Sequence, residues 1–181
     1  MLHLIAIAAG AAIAGVLGIA ARRPDTFRVQ RTAVIDAPPE RIQPLIEDFR
    51  RWAEWSPWEK LEPGMKRTFS GAASGRGAAY AWEGKKVGSG RMEITGTSPE
   101  RTTIQLDFLK PWEAHNIATF TLQPRGGRTE VTWSMDGPSP FVSKVMGVFV
   151  SMDNLIGKDF AAGLAILKAI VERQPSPAAT S

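Results

Sequence analysis

From residue 65 to residue 136 the chain is cut into strand-length pieces by turn residues, and no other feature restricts its fold as strongly. The alternation predicts strands over 65–70, 78–83, 87–97, 101–109, 113–123 and 129–136. The breaks "EGKK", "SPE", "KPW" and "PRGG" are hairpin-sized, so consecutive strands should pair antiparallel. Side chains of one parity share a face of a strand. Tyr80 and Trp82, Met92 and Ile94, Ile104, Leu106 and Phe108, Ala118, Phe120 and Leu122, and Val131, Trp133 and Met135 therefore form one apolar face. Such a face needs a cover. Val145, Phe149, Met152, Ile156, Phe160, Leu164, Leu167 and Val171 recur every three or four residues, which predicts one long amphipathic helix to supply it.

Upstream, residues 27–36 alternate as another strand. "DAPPERIQPLIEDF" then opens a helix near Pro39, with Glu40 at its positive end, and Pro44 bends or restarts it. The next stretch, "RRWAEWSPWEK", spends three of the chain's six tryptophans within seven residues. A proline in a helix interior costs about 3 kcal/mol, so Pro57 should end the helix between Glu54 and Ser56. Trp55 and Trp58 would then cap one end of the sheet, and Trp112 another.

The first residues set a separate problem. Leu2 to Ala21 carries no Asp, Glu, Lys or Arg, which is long enough for a helix across roughly 30 Å of hydrocarbon. One reading is a retained N-terminal membrane helix, the other a cleaved signal peptide ending near Ala20. Arg22 and Arg23 on the C-terminal flank alone favour a cytoplasmic domain. The division expected is an anchor over 1–23, a folded domain over 24–173 and a disordered, proline-containing tail over 174–181. Without cysteine, thiolate chemistry and disulfides are excluded, and with only His3 and His115 a histidine metal site is not expected. The net charge of +4 is scattered in pairs rather than gathered in a stripe, so it does not single out nucleic acid, and an anionic membrane surface would explain it equally well.

This order, strand, helices, six strands and a long helix, resembles the helix-grip fold of the START-like or SRPBCC superfamily, in particular its polyketide cyclase/dehydrase branch. The resemblance covers about residues 27–172 and rests on "DAPPERIQPLIEDFRRWAEWSPW", "EGKKVGSGRMEI", "LDFLKPWEAHNIATFTL", "GGRTEVTWSMDG" and "GKDFAAGLAILKAIVE". It implies an α+β domain whose curved antiparallel sheet wraps a C-terminal helix, with an apolar cavity between them. Members bind lipids, sterols, polyketides or other hydrophobic molecules, and only some catalyse a reaction.

The residues expected to meet a hydrophobic small molecule or lipid are Trp55, Trp58, Tyr80, Trp82, Met92, Phe120, Trp133, Met135, Phe149, Met152 and Phe160. Large aromatic and methionine side chains tolerate an irregular void better than a tight aliphatic core does. No phosphate loop, metal set or cofactor motif emerges. "WEGKK" and "MDNLIGKDF" contain Gly-Lys pairs but lack the first glycine of such a loop. Asp107 and Glu83 fall on the outward parity, so both should be solvated, whereas Glu113 and His115 stand near a strand end and a cavity mouth. Three functions follow: a membrane-attached carrier of a hydrophobic ligand, a cyclase- or dehydratase-type enzyme using Tyr80 or Glu113, or a regulatory module without ligand.

Overall fold

The alternating segments form seven strands: β1 (Thr26–Ile35), β2 (Lys66–Gly71), β3 (Ala78–Glu83), β4 (Ser89–Ser98), β5 (Arg101–Lys110), β6 (Ala114–Arg125) and β7 (Arg128–Pro138). The computed structural model describes residues 1–173, so the expected tail over 174–181 lies outside the described residues. Every pairing is antiparallel, in the order β1-β7-β6-β5-β4-β3-β2. The register sets Tyr80 beside Met92, Met92 beside Leu106, Ile104 beside Ala118 and Phe120 beside Trp133, so the apolar parity runs unbroken across the sheet. Gly88 turns the β3–β4 hairpin with a positive φ of 68°, where a side chain would strike the Lys110 carbonyl.

Three short helices follow β1: α2 (Pro39–Glu47), α3 (Trp52–Trp55) and α4 (Pro57–Leu61). Pro57 does stop α3, and it opens α4 from the first helical position, where its missing N–H costs nothing. The indole nitrogens of Trp52 and Trp55 donate to the Ile46 and Leu45 carbonyls at 2.9 and 3.0 Å, fastening α3 to α2.

The expected single C-terminal helix is two helices, α5 (Phe141–Phe149) and α6 (Met152–Arg173). Val150 is extended between them, at φ −132° and ψ 119°. The apolar period continues through this break, so the pattern alone joins what the backbone separates. α6 runs beside β1 in the same direction: Asp153 accepts from Arg31 at 2.7 Å near its start, and Lys168 and Glu172 meet the Val34 carbonyl and the Asp36 amide near its end. Phe160, Leu164, Leu167 and Val171 are its buried stripe. At Gly163 a Cβ would stand 2.9 Å from the Trp133 ring, so glycine lets α6 settle onto the sheet.

α5 is turned inside out. Its buried residue is Lys144, paired with Asp25, while Phe141, Val142, Met146 and Phe149 face outward. It packs along α1 (Leu2–Ala21), and Arg23 donates to the Gly147 carbonyl at 2.7 Å. The expected membrane-crossing helix needs correction, because among the described residues no helix is long and apolar enough to cross a membrane. Eight alanines and three glycines among its twenty residues make α1 less apolar than a leucine-rich span.

Asp107 also departs from expectation. It points away from the apolar face, yet only 6% of it is exposed, because Arg91, Gln105 and His115 close over it at 2.8–3.0 Å. These bonds, that of His115 first, hold its carboxyl down to about 2, and His115 is raised in turn, chiefly by Asp107. The cluster is a salt-bridged patch on the outer face.

Candidate functional site: an apolar cavity between sheet and helix

Between the apolar sheet face and α6 lies a cavity of about 330 Å³. β3 contributes Tyr80 and Trp82, β4 Met92, β5 Ile104, Leu106 and Phe108, β6 Ala118, and β7 Trp133 and Met135. α6 closes it with Ile156 and Phe160, and the segment through α3 and α4 adds Trp52, Ser56, Trp58, Glu59 and Leu61. Leu61 and Lys86 are exposed, so the cavity reaches the surface beside them. The β3–β4 turn at this rim is held by Glu62, whose carboxylate accepts the amides of Lys85, Lys86 and Val87 at 2.8–3.3 Å.

Of the residues expected to meet a ligand, Trp58, Tyr80, Trp82, Met92, Trp133, Met135 and Phe160 line this space. Trp55 and Phe120 do not; both are wholly buried behind it, Phe120 stacked on Trp133 and Trp55 edge-on to it. Phe149 and Met152 are also outside it, 74% and 40% exposed, because the chain breaks at Val150 and carries them away from the sheet. Trp112 caps nothing and is 78% exposed. Ile104, Leu106, Phe108 and Ala118 were legible as apolar parity and Ile156 as part of the helical stripe, but all are absent from the expected set. Ser56 and Glu59 carried no signal in the strand alternation.

Besides the Ser56 hydroxyl and, at the rim, Lys86, the wall carries one hydrogen-bonded polar pair. Tyr80 Oη donates to Glu59 Oε1 at 2.6 Å, and Arg67 Nε donates to Glu59 Oε2 at 2.7 Å. Glu59 is 9% exposed and Tyr80 3%. Burial, followed by the bond to Glu59, pushes the Tyr80 phenol well above its ordinary range, so it stays a neutral donor. Trp133 Nε1 is buried without a hydrogen-bond partner among the described residues, an arrangement that costs about 1–3 kcal/mol. Glu113 and His115 stay with the Asp107 patch, on the parity opposite to Leu106 and Phe108. Among the described residues no three His, Cys, Asp or Glu side chains gather as a metal site.

A sheet closed by a C-terminal helix over an apolar cavity defines a helix-grip domain. The chain belongs to the polyketide cyclase / dehydrase and lipid transport family, whose model matches residues 26–172. No curated protein matches it. Among solved structures it is similar to protein CV1439 from Chromobacterium violaceum, at 21% identity over 84% of this chain and 100% of that one, with a TM-score of 0.58. It is similar to protein MLL2253 from Mesorhizobium loti, at 17% identity over 83% and 99% of the two chains, with a TM-score of 0.58. DynU16, from the dynemicin biosynthetic locus, matches at 18% identity over 83% of this chain and 48% of its own, with a TM-score of 0.56. Likeness at these identities speaks for the fold alone.

Proposed function

We propose that this protein binds a hydrophobic small molecule in the cavity between β3–β7 and α6, as a carrier or binding domain. The observation that supports it is the cavity itself, about 330 Å³ and walled by aromatic and methionine side chains. Left empty, an apolar space of that size forgoes packing contacts along its whole wall and leaves apolar surface to the water that enters at the rim. Occupation by an apolar molecule recovers that loss. The test is a panel of fatty alcohols, isoprenoids and aromatic polyketides added to the full chain, read by tryptophan fluorescence and melting temperature. Quenching together with stabilisation is expected from at least one class; a panel without either effect would defeat the reading.

A second reading, catalysis of cyclase or dehydratase type, is favoured by the Tyr80–Glu59 bond on the cavity wall, which would meet a bound substrate with a hydrogen-bonded phenol and carboxyl group. Turnover lost in Tyr80→Phe with binding retained would establish it.

Attachment to a lipid surface, with the domain on the cytoplasmic side, belongs to the same proposal. The uncharged α1, the outward apolar side of α5 and the adjacent Arg22 and Arg23 support it. The full chain should sediment with anionic vesicles, and protein remaining in the supernatant at low salt would refute attachment.

A further inference from the structure

Resting on the reading of an apolar ligand, we infer that the cavity selects a molecule bearing a hydroxyl group, which Ser56 and Glu59 receive together, and that it discriminates against a carboxylate of the same shape.

The argument starts from a local rule that is broken. Ser56-Pro57-Trp58-Glu59 has the spacing of a capping box, in which serine and glutamate side chains each satisfy the other's backbone amide at a helix start. Neither does so here. Ser56 caps α4 in position but makes no side-chain cap bond, and its own amide is taken by the Trp52 carbonyl at 2.7 Å. Glu59 instead turns to Tyr80 and Arg67. A cheap local arrangement has been given up, and such departures gather at functional positions.

The departure leaves polar capacity on an otherwise apolar wall. Ser56 is 2% exposed, lines the cavity, and its hydroxyl makes no hydrogen bond among the described residues. Glu59 accepts one bond on each oxygen, and each oxygen retains a further acceptor direction. The single proton of Tyr80 is spent on Glu59, so the phenol can offer a ligand only an acceptor. Three residues apart across the first turn of α4, Ser56 and Glu59 stand on neighbouring positions. One can donate and the other can only accept.

A ligand hydroxyl answers both, donating to Glu59 and accepting from Ser56. A ketone uses Ser56 alone and leaves Glu59 facing an acceptor. A carboxylate brings a second negative charge against Glu59, already neutralised by Arg67, whose remaining bonds go to the Pro63, Met65 and Glu59 carbonyls. Because unmatched polar groups are costly against an apolar wall, this difference is larger than one methylene of chain length would give.

The experiment uses the full chain and a matched series, 1-decanol, 2-decanone and decanoate at pH 8, titrated by tryptophan fluorescence. We expect 1-decanol to bind at least about tenfold tighter than decanoate, the worth of one hydrogen bond to a charged group. Ser56→Ala removes a hydroxyl with no bond in the fold, so its melting temperature should hold while 1-decanol affinity falls about threefold or more. Glu59→Gln should bring decanoate and 1-decanol close together. Decanoate binding as tightly as 1-decanol would overturn the inference, as would a decanoate preference abolished by Lys86→Ala, which would seat the head group at the rim. Unchanged 1-decanol affinity in Ser56→Ala overturns it too. Failure of all three probes to bind would instead count against the apolar-ligand reading on which it rests.

Discussion

Trp55 and Trp58 stand three residues apart in one tryptophan-rich stretch and meet opposite surroundings. Trp55 is wholly buried, its indole nitrogen bonded to Leu45 and its ring packed edge-on to Phe120 and Trp133. Trp58 is half-buried and faces the cavity, touching Trp133 and Phe160 by edge contacts. The same contrast divides the interior. Ile35, Ile42, Leu45, Leu122, Val131 and Leu167 close one end with rigid aliphatic side chains. Met92, Trp82, Leu106 and Ile156 leave the other end open. One continuous apolar face thus serves as core at one end and as a binding wall at the other, and position relative to α2 and α6 decides which.

The largest effect that would sharpen this contrast is on stability. Trp55→Ala should cost roughly 3–5 kcal/mol in urea unfolding, whereas Trp58→Ala, which already borders open space, should cost about 1–2 kcal/mol. Equal losses would erase the distinction between the two ends. Ala118→Trp comes next: placed on the cavity floor, it should fill the space, abolish quenching by hydrophobic ligands and leave the fold intact. A collapsed fold would mean that the space is not free to be filled. Smaller is the effect of Glu62→Ala, which releases the Lys85, Lys86 and Val87 amides at the rim. Hydrogen exchange of those amides should accelerate while that of Leu122 and Val131 stays slow.

The smallest effect lies on the outer face. His115 gains Asp107 on folding, so its contribution is complete below its ordinary value of 6.5 and is lost as pH rises through its raised folded value. Asp107 acts the other way, contributing above its ordinary 3.8 and losing that only as pH falls toward about 2. Melting temperature should decline slightly as pH rises past 6.5, and His115→Gln should flatten that decline without altering ligand affinity. A change in affinity would connect the patch to the cavity.

Strand alternation carried much of this architecture, because the period of two sorts side chains onto faces before any partner is known. Tyr80, Met92, Trp133 and Met135 were legible in that way. Other features depend on tertiary partners. The apolar period from Val145 to Ile156 passes through a break that only the extended backbone at Val150 reveals, so Phe149 and Met152 fall on a different surface from the one the period implies. Trp55 and Phe120 share the parity or chemistry of the wall but lie behind it, a depth that periodicity does not encode. Asp107 was correctly outward, yet Arg91 and His115 cover it from neighbouring strands. Glu59 acquires meaning only through Tyr80, 21 residues away; its spacing from Ser56 was the one local hint.

The central claim, that the open end of the interior holds an apolar molecule, is tested most directly by native mass spectrometry of the full chain purified from its own host, beside the Ala118→Trp variant. The account predicts a small apolar adduct on the wild-type chain, released by organic extraction and missing from the variant. Bare protein in both, with no rise in melting temperature when hydrophobic ligands are added back, would contradict it.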